Sequence, residues 1–218
     1  MTHPFHPLYG CEFALVTGPG SRWDLTDTLT VGEGRPGHLQ ITDGGVVAAQ
    51  SVIVGSDGLV NGAGGTILVG ASSVQNGGVL APGTSPGTMT VDGNYEQLPG
   101  GILEIEIGGL AAQSEYDVLV VTGNADFDGT IQLKFIDGFA PHAGDQFDFL
   151  QVGGALTATG ASYEIRNLEP GFEFDVAFDA GGLTMTARTD GVFVPEPGTM
   201  AILLSGLALL VICSRHRR

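Results

Sequence analysis

Residues 29–70 read LTVGEGRPGHLQITDGGVVAAQSVIVGSDGLVNGAGGTILVG, and this stretch decides the fold. Its apolar, β-branched pieces are short: Leu29-Thr30-Val31-Gly32, His38 to Thr42, Ser51-Val52-Ile53-Val54-Gly55 and Thr66 to Gly70. Glycine-rich turns separate them, and no helical period runs through them. Val31-Gly32 recurs as Val54-Gly55, 23 residues on. A looser echo of Ile41-Thr42-Asp43-Gly44-Gly45-Val46 follows 33 residues later as Val74-Gln75-Asn76-Gly77-Gly78-Val79. Imperfect recurrence at roughly 20–35 residues is the pattern of a solenoid. In a parallel β-helix each coil stacks on the next, buries alternate Val, Ile and Leu side chains, and turns at glycines that tolerate positive φ. The sequence therefore predicts an all-β protein with a parallel β-helix over residues 18–100. A β-sandwich whose glycine turns imitate repeats is the alternative.

Composition agrees with the first reading. The 218 residues include 36 Gly and 11 Pro, and 43% of the chain is apolar. So much glycine disfavours a helical bundle, while the absence of a strict triplet period excludes collagen. Charge is polarised: 24 acidic residues face 8 basic ones, for a formal −16. Three of those basic residues, Arg215, Arg217 and Arg218, lie at the very end; without them five face 24, a formal −19. Nucleic-acid binding is excluded on this ground, since it needs Lys and Arg to displace condensed counterions.

From Gly101 to Arg188 the apolar alternation lengthens, as in Ile102-Leu103-Glu104-Ile105-Glu106-Ile107 and Ile131-Gln132-Leu133-Lys134-Phe135-Ile136. Period two with one polar face reads as antiparallel strands half exposed to water. Residues 101–190 are expected to form a β-sandwich-like cap, or wider coils continuing the solenoid. Met1 to Leu15 carries two prolines, no basic n-region and no long apolar run, unlike a secretory leader. Residues 1–17 are read as an irregular segment, with the expectation that the chain is the C-terminal part of a longer repeat protein; a non-standard export route is the alternative.

The C-terminal end is a membrane signal. Met200 to Cys213, MAILLSGLALLVIC, holds no charge and is followed by Ser214, Arg215, His216, Arg217 and Arg218. A helix over 198–214 would span about 25 Å at ~1.5 Å per residue, a little under a bilayer's hydrocarbon core, and terminal arginines can snorkel. The basic end marks the cytoplasmic side and places the acidic body opposite. A buried core helix is the competing reading for an apolar run of this length.

Immediately before it stands Val194-Pro195-Glu196-Pro197-Gly198-Thr199. A Pro-Glu-Pro motif, a short transmembrane helix and an Arg-rich terminus, in that order, resemble the PEP-CTERM sorting signal of Gram-negative bacteria. The resemblance covers 191–218. It implies that Pro195, Glu196 and Pro197 are recognised by exosortase, a membrane-embedded cysteine protease, and that Arg215, Arg217 and Arg218 form the membrane stop. It also implies an exported protein that passes through the inner membrane with its body on the periplasmic side and then reaches the cell surface or matrix. Two prolines fix an extended backbone there, a shape a protease can read as a strand.

A second resemblance lies in Gly18-Pro19-Gly20-Ser21-Arg22-Trp23, Leu29 to Gly32, Gly37 to Gly45, and Gly78-Val79-Leu80-Ala81-Pro82-Gly83-Thr84-Ser85-Pro86-Gly87-Thr88-Met89-Thr90-Val91 with the following Tyr95. These look like repeats of autotransporter-like passenger regions, and imply a right-handed parallel β-helix with no catalytic residues of its own.

Catalytic and cofactor motifs are absent from the sequence. Cys11 and Cys213 build no disulfide framework, and the histidines at 3, 6, 38, 142 and 216 form no HExxH or zinc spacing. Asp126-Phe127-Asp128-Gly129 opens like a calcium loop but lacks the later ligands, and reads as a turn between strands. Gly62-Ala63-Gly64-Gly65 has no following Lys-Ser/Thr to cradle phosphate. Glu104 and Glu106 share one strand face, as a glycosidase pair would, though a solvated face has the same alternation. The expectation is a non-enzymatic surface or matrix protein without cofactor or metal, whose partners are exosortase, the membrane and exopolysaccharide or other surface proteins in adhesion or a biofilm. A secreted β-helix polysaccharide lyase or hydrolase is the alternative.

Overall fold

The computed structural model describes residues 12–84, 86–179 and 181–194. Short β-branched pieces closed by glycine turns fold here as successive coils. The first coil holds β1 (Glu12–Thr17), β2 (Arg22–Asp24) and β3 (Thr28–Val31), and the second β4 (Gly37–Thr42), β5 (Val46–Ala48) and β6 (Ser51–Val54). β7 (Gly58–Asn61) leads to the long β8 (Gly65–Asn76), then β9 (Val79–Ala81) to β10 (Thr88–Gln97). Next come β11 (Ile102–Ile107), β12 (Val118–Val121) and β13 (Ala125–Phe127), followed by β14 (Thr130–Phe135), β15 (Gln146–Val152) and β16 (Leu156–Thr157). β17 (Ser162–Arg166) starts a last turn, which β18 (Phe174–Asp179) and β19 (Gly182–Ala187) close.

One sheet runs β1-β4-β7-β9-β11-β14-β17, parallel throughout. The other two faces are built from β2, β5, β8, β10, β12 and β15, and from β3, β6, β8, β10, β13 and β16. β8 and β10 serve both faces, their register shifting between Asp92 and Asn94. The protein is a β-solenoid.

Register gives the core its columns. Leu39, Val60, Leu80, Leu103 and Ile131 stack on one face, and Val47, Ile67, Val91, Val121 and Val152 on another. All are buried. Each such side chain contributes about 1.5–3 kcal/mol by leaving water. Val31 pairs directly with Val54, so the 23-residue recurrence is a true coil repeat. The 33-residue echo is not: Ile41 lies on β4 of the first sheet and Val74 on β8 of the third face.

Coils narrow slightly at first and then widen along the axis. Glu12 pairs with Gly37, Gly37 with Gly58, Leu59 with Val79, Val79 with Ile102, Ile102 with Thr130 and Thr130 with Ser162, giving coils of 25, 21, 20, 23, 28 and 32 residues. The parallel ladder crosses residue 100 unbroken, so wider coils account for the chain up to Arg166. This corrects the antiparallel reading of β11, β12, β14 and β15 against their coil neighbours. A strand with one side toward the solenoid core and one toward water alternates whichever way its neighbour runs, so alternation did not encode direction.

Among the named strands antiparallel pairing occurs at the end, where β19 pairs with β15 and β18 with β19. Beneath lies an aromatic plug: Phe135 has its ring centroid 6.5 Å from Phe147, 6.3 Å from Phe139 and 5.9 Å from Phe172. Capping removes strand edges that would otherwise recruit another chain. Of the segment 1–17 read as irregular, Glu12–Thr17 is instead β1, paired in parallel with β4; residues 1–11 and the expected helix over 198–214 lie outside the described residues. Among the described residues no helix is long and apolar enough to cross a membrane.

Candidate functional sites: an outer charged ladder and the chain exit

On the outer side of the first sheet, parallel pairing brings together side chains far apart in sequence. Glu104 and Glu106 share one face of β11, as their spacing requires, and Lys134 on β14 stands between them. Its Nζ lies 3.6 Å from Glu104 Oε1 and 3.1 Å from Glu106 Oε1. One strand further, Gln132 Nε2 donates to Glu164 Oε2 at 2.7 Å, and Arg166 pairs with Glu164 at 2.8 Å. The two glutamates thus neutralise a lysine that the sequence alone did not associate with them.

Close to this ladder is a carboxyl the sequence reading missed. Asp117 is fully buried at the end of the loop from β11 to β12. Its Oδ1 accepts from the Gly87 N–H at 2.8 Å and its Oδ2 from the Glu106 N–H at 2.9 Å. Burial raises its pKa to about 7, against the pull of these two donors and with a smaller push from the Glu106 and Glu104 charges. Both oxygens are occupied by backbone, so this group fastens three segments and offers no exposed acid to a substrate. Its only sequence signal was an acid set directly before the apolar run Val118 to Val121.

The other sequence candidates resolve as turns and bends. Asp126 and Phe127 lie on β13, Phe127 is buried, and Asp128-Gly129 turns into β14. Asn94 Oδ1 accepts from the Asn124 N–H at 2.9 Å, and Asn124 Oδ1 from the Ala155 N–H at 2.8 Å, a stack of side-chain amides holding the bend coil to coil. Among the described residues no group of three or more His, Cys, Asp and Glu could hold a metal ion. His3, His6, Cys11 and Cys213 lie outside them.

After β19 the chain leaves the cap along a fixed path. The Asp190 carboxylate accepts from the Ala143 N–H at 2.8 Å, which with the nearby His142 holds it below the usual carboxylate range. Gly191 N–H donates to the Pro141 carbonyl at 2.8 Å. Phe193 then forms an antiparallel bridge with Leu168, flanked by Glu169 N–H to Val192 O and Val194 N–H to Asn167 O, both 2.8 Å. Asn167, at φ 65°, is itself pinned by donating Nδ2 to the Phe135 carbonyl at 3.0 Å. Phe193 packs against the core, while Val192 and Val194 are 54% and 41% exposed. Pro195, Glu196, Pro197 and the tail with Arg215, Arg217 and Arg218 follow outside the described residues.

No curated protein matches the chain. Residues 193–218 match the PEP-CTERM protein-sorting motif, which begins at the bridged Phe193. Such a signal implies processing by exosortase, membrane-anchored transit and surface export in Gram-negative bacteria. The chain is accordingly a β-solenoid that carries a PEP-CTERM sorting motif at its C-terminal end.

Proposed function

We propose that this is a non-enzymatic surface or extracellular-matrix protein whose acidic solenoid body serves adhesion or association with exopolysaccharide after exosortase processing. The observation that carries the reading is the sorting motif at 193–218, set directly on a capped β-solenoid. The outer ladder supports it: Glu104, Glu106 and Glu164 are engaged by Lys134, Gln132 and Arg166, an arrangement that stiffens a surface. Deleting residues 195–218, or removing the cell's exosortase, should abolish processing and leave the body off the cell surface. Unchanged localisation and processing in either strain would sink the proposal.

One observation favours a carbohydrate-active enzyme: Glu104 and Glu106 present two carboxyls on one outer face of β11, both within reach of Lys134. Incubating the purified protein with acidic and neutral polysaccharides separates the readings. Saturable binding without products supports the adhesive one, whereas turnover lost on Glu104→Gln and Glu106→Gln supports the enzyme.

A further inference from the structure

The second and third faces of the solenoid meet at a bend built by glycine and asparagine. In β10 the register shifts between Asp92 and Asn94, with Gly93 at φ 147°, and Asn94 Nδ2 donates to the Ala71 and Ser72 carbonyls at 3.0 and 3.1 Å. Beside the bend a groove of about 370 Å³ runs from β8 across β10 and β13 to β16, lined by Ser73, Asn94, Glu96, Asn124, Asp126 and Thr157. Four strands at ~4.8 Å spacing make it about 14 Å long, parallel to the solenoid axis. Its floor is fixed, because Tyr95 and Ala125 beneath it are buried and Tyr95 is bonded to Asn76. Parallel pairing sets Glu96 directly beside Asp126 on this outer side. Like charges opposite each other on adjacent strands destabilise a sheet. On the first sheet Lys134 and Arg166 relieve that repulsion. Among the described residues no ion pair reaches Glu96 or Asp126, and Glu96 accepts instead from the neutral amide of Gln75 at 2.8 Å.

We propose that this groove binds an amine-bearing polysaccharide, with one ammonium group seated between Glu96 and Asp126 and ring hydroxyls hydrogen-bonded by Ser73, Asn124 and Thr157. This rests on the reading that the body associates with exopolysaccharide, and it names the site and the chemical class. Charge selects the occupant. An ammonium group relieves the repulsion between the two carboxylates and gains charge-assisted hydrogen bonds from both, whereas an acidic glycan would add to the repulsion and a neutral one would leave it in place. Hydroxyl and amide side chains around the pair offer both donors and acceptors, as sugar hydroxyls require. The groove crosses four strands, a shape that admits a chain of sugars, and its walls are set before binding, which lowers the ordering cost.

The test is calorimetric titration of the full chain, purified in detergent, with chitosan oligomers, their fully N-acetylated counterparts and alginate oligomers of matched length. Chitosan should bind saturably, and the neutral and acidic oligomers at least about tenfold more weakly. Glu96→Gln with Asp126→Asn should weaken chitosan binding by about tenfold or more. Glu169→Gln with Glu173→Gln removes the same charge from exposed positions at the cap and should change it by less than about twofold. Ala155→Trp fills the groove from an exposed position without altering charge and should abolish binding. All variants should melt as wild type; if the tryptophan variant melts early, the two charge variants decide. Equal binding by the groove and cap variants would show attraction to the acidic body at large and overturn the groove, and a preference for the neutral or acidic oligomers would overturn the amine class. Either result leaves the adhesive reading standing. Binding of none of the three polymers overturns both.

Discussion

Replacing Asp117 by an asparagine tests how the solenoid holds a buried carboxyl. Its pKa stands at about 7 in the folded protein against 3.8 ordinarily. Between those values the folded state keeps a proton that the unfolded chain has released, so stability falls as pH rises through the window. Each unit of difference is worth about 1.4 kcal/mol, which gives on the order of 4 kcal/mol over the whole interval. The protein's pI near 4.3 makes pH 5 a practical lower limit. From pH 5 to pH 8 this group should therefore remove ~3 kcal/mol. The substituted amide carries no charge at any pH in that range. Like the protonated acid, it can accept from only one of the Gly87 and Glu106 N–H groups. Urea unfolding of both proteins at half-unit pH steps provides the comparison. The two should be alike within about 1 kcal/mol at pH 5, with the variant gaining ~2–3 kcal/mol on wild type by pH 8. Every other titrating group is common to both and cancels in the difference. A constant offset across the range would refute the reasoning, because it would mean that the two backbone donors keep the carboxylate ionised throughout.

Two further substitutions probe the coil stack. A methyl on Gly58 would collide with the Val31 carbonyl, a backbone atom that cannot move without breaking the β3–β6 register, so Gly58→Ala should cost more than ~3 kcal/mol and lower the melting temperature by about 6–12 °C. Gly100→Ala, at φ 89° with nothing near its Cβ position, should cost only about 1–2 kcal/mol for the left-handed backbone; equal losses at the two sites would remove the packing explanation. Inside the core, Asn76 Nδ2 donates to Tyr95 Oη and to the Ile102 carbonyl, each at 3.0 Å, and Tyr95 donates to Gln97 Oε1 at 3.0 Å. Tyr95→Phe leaves the Gln97 acceptor without that donor and should destabilise by about 1–3 kcal/mol in thermal or urea unfolding; a neutral result would show that the network adds nothing beyond packing.

How far the fold could be read depended on how regular the turns were. Val31-Gly32 and Val54-Gly55 were legible because the chain between them makes one coil with matching corners. Further on, a buried glycine marks the entry to the first sheet in five successive coils, at Gly37, Gly58, Gly78, Gly101 and Gly129, and a methyl there would strike backbone of a preceding turn; Ala161 takes that place before β17. Their spacing varies with the corner loops, so no fixed period survives in the sequence. The polar core was hidden for a related reason. Val31, Val54, Asn76, Gln97 and Phe127 form one inward column, and its two amides sit in strands that look like solvated ones until register places them.

Sorting and surface chemistry differ in the same way. A signal that another enzyme reads as a linear string must be written as one, and Pro195-Glu196-Pro197 with its apolar run and arginines was therefore visible without a structure. The outer ladder is written one residue per coil: Glu106 meets Lys134 after 28 positions, and Lys134 meets Arg166 after 32. No local pattern connects them, because only parallel stacking makes them neighbours. The exit strand falls between these cases. Val192 to Val194 showed in the sequence only as the start of the sorting signal, since Leu168, the partner of Phe193, lies 25 residues back across the cap hairpin. Pairing across that hairpin fixes the last described residues as an extended segment against the cap. The fold thereby gives the string a shape just where the body hands it to the motif.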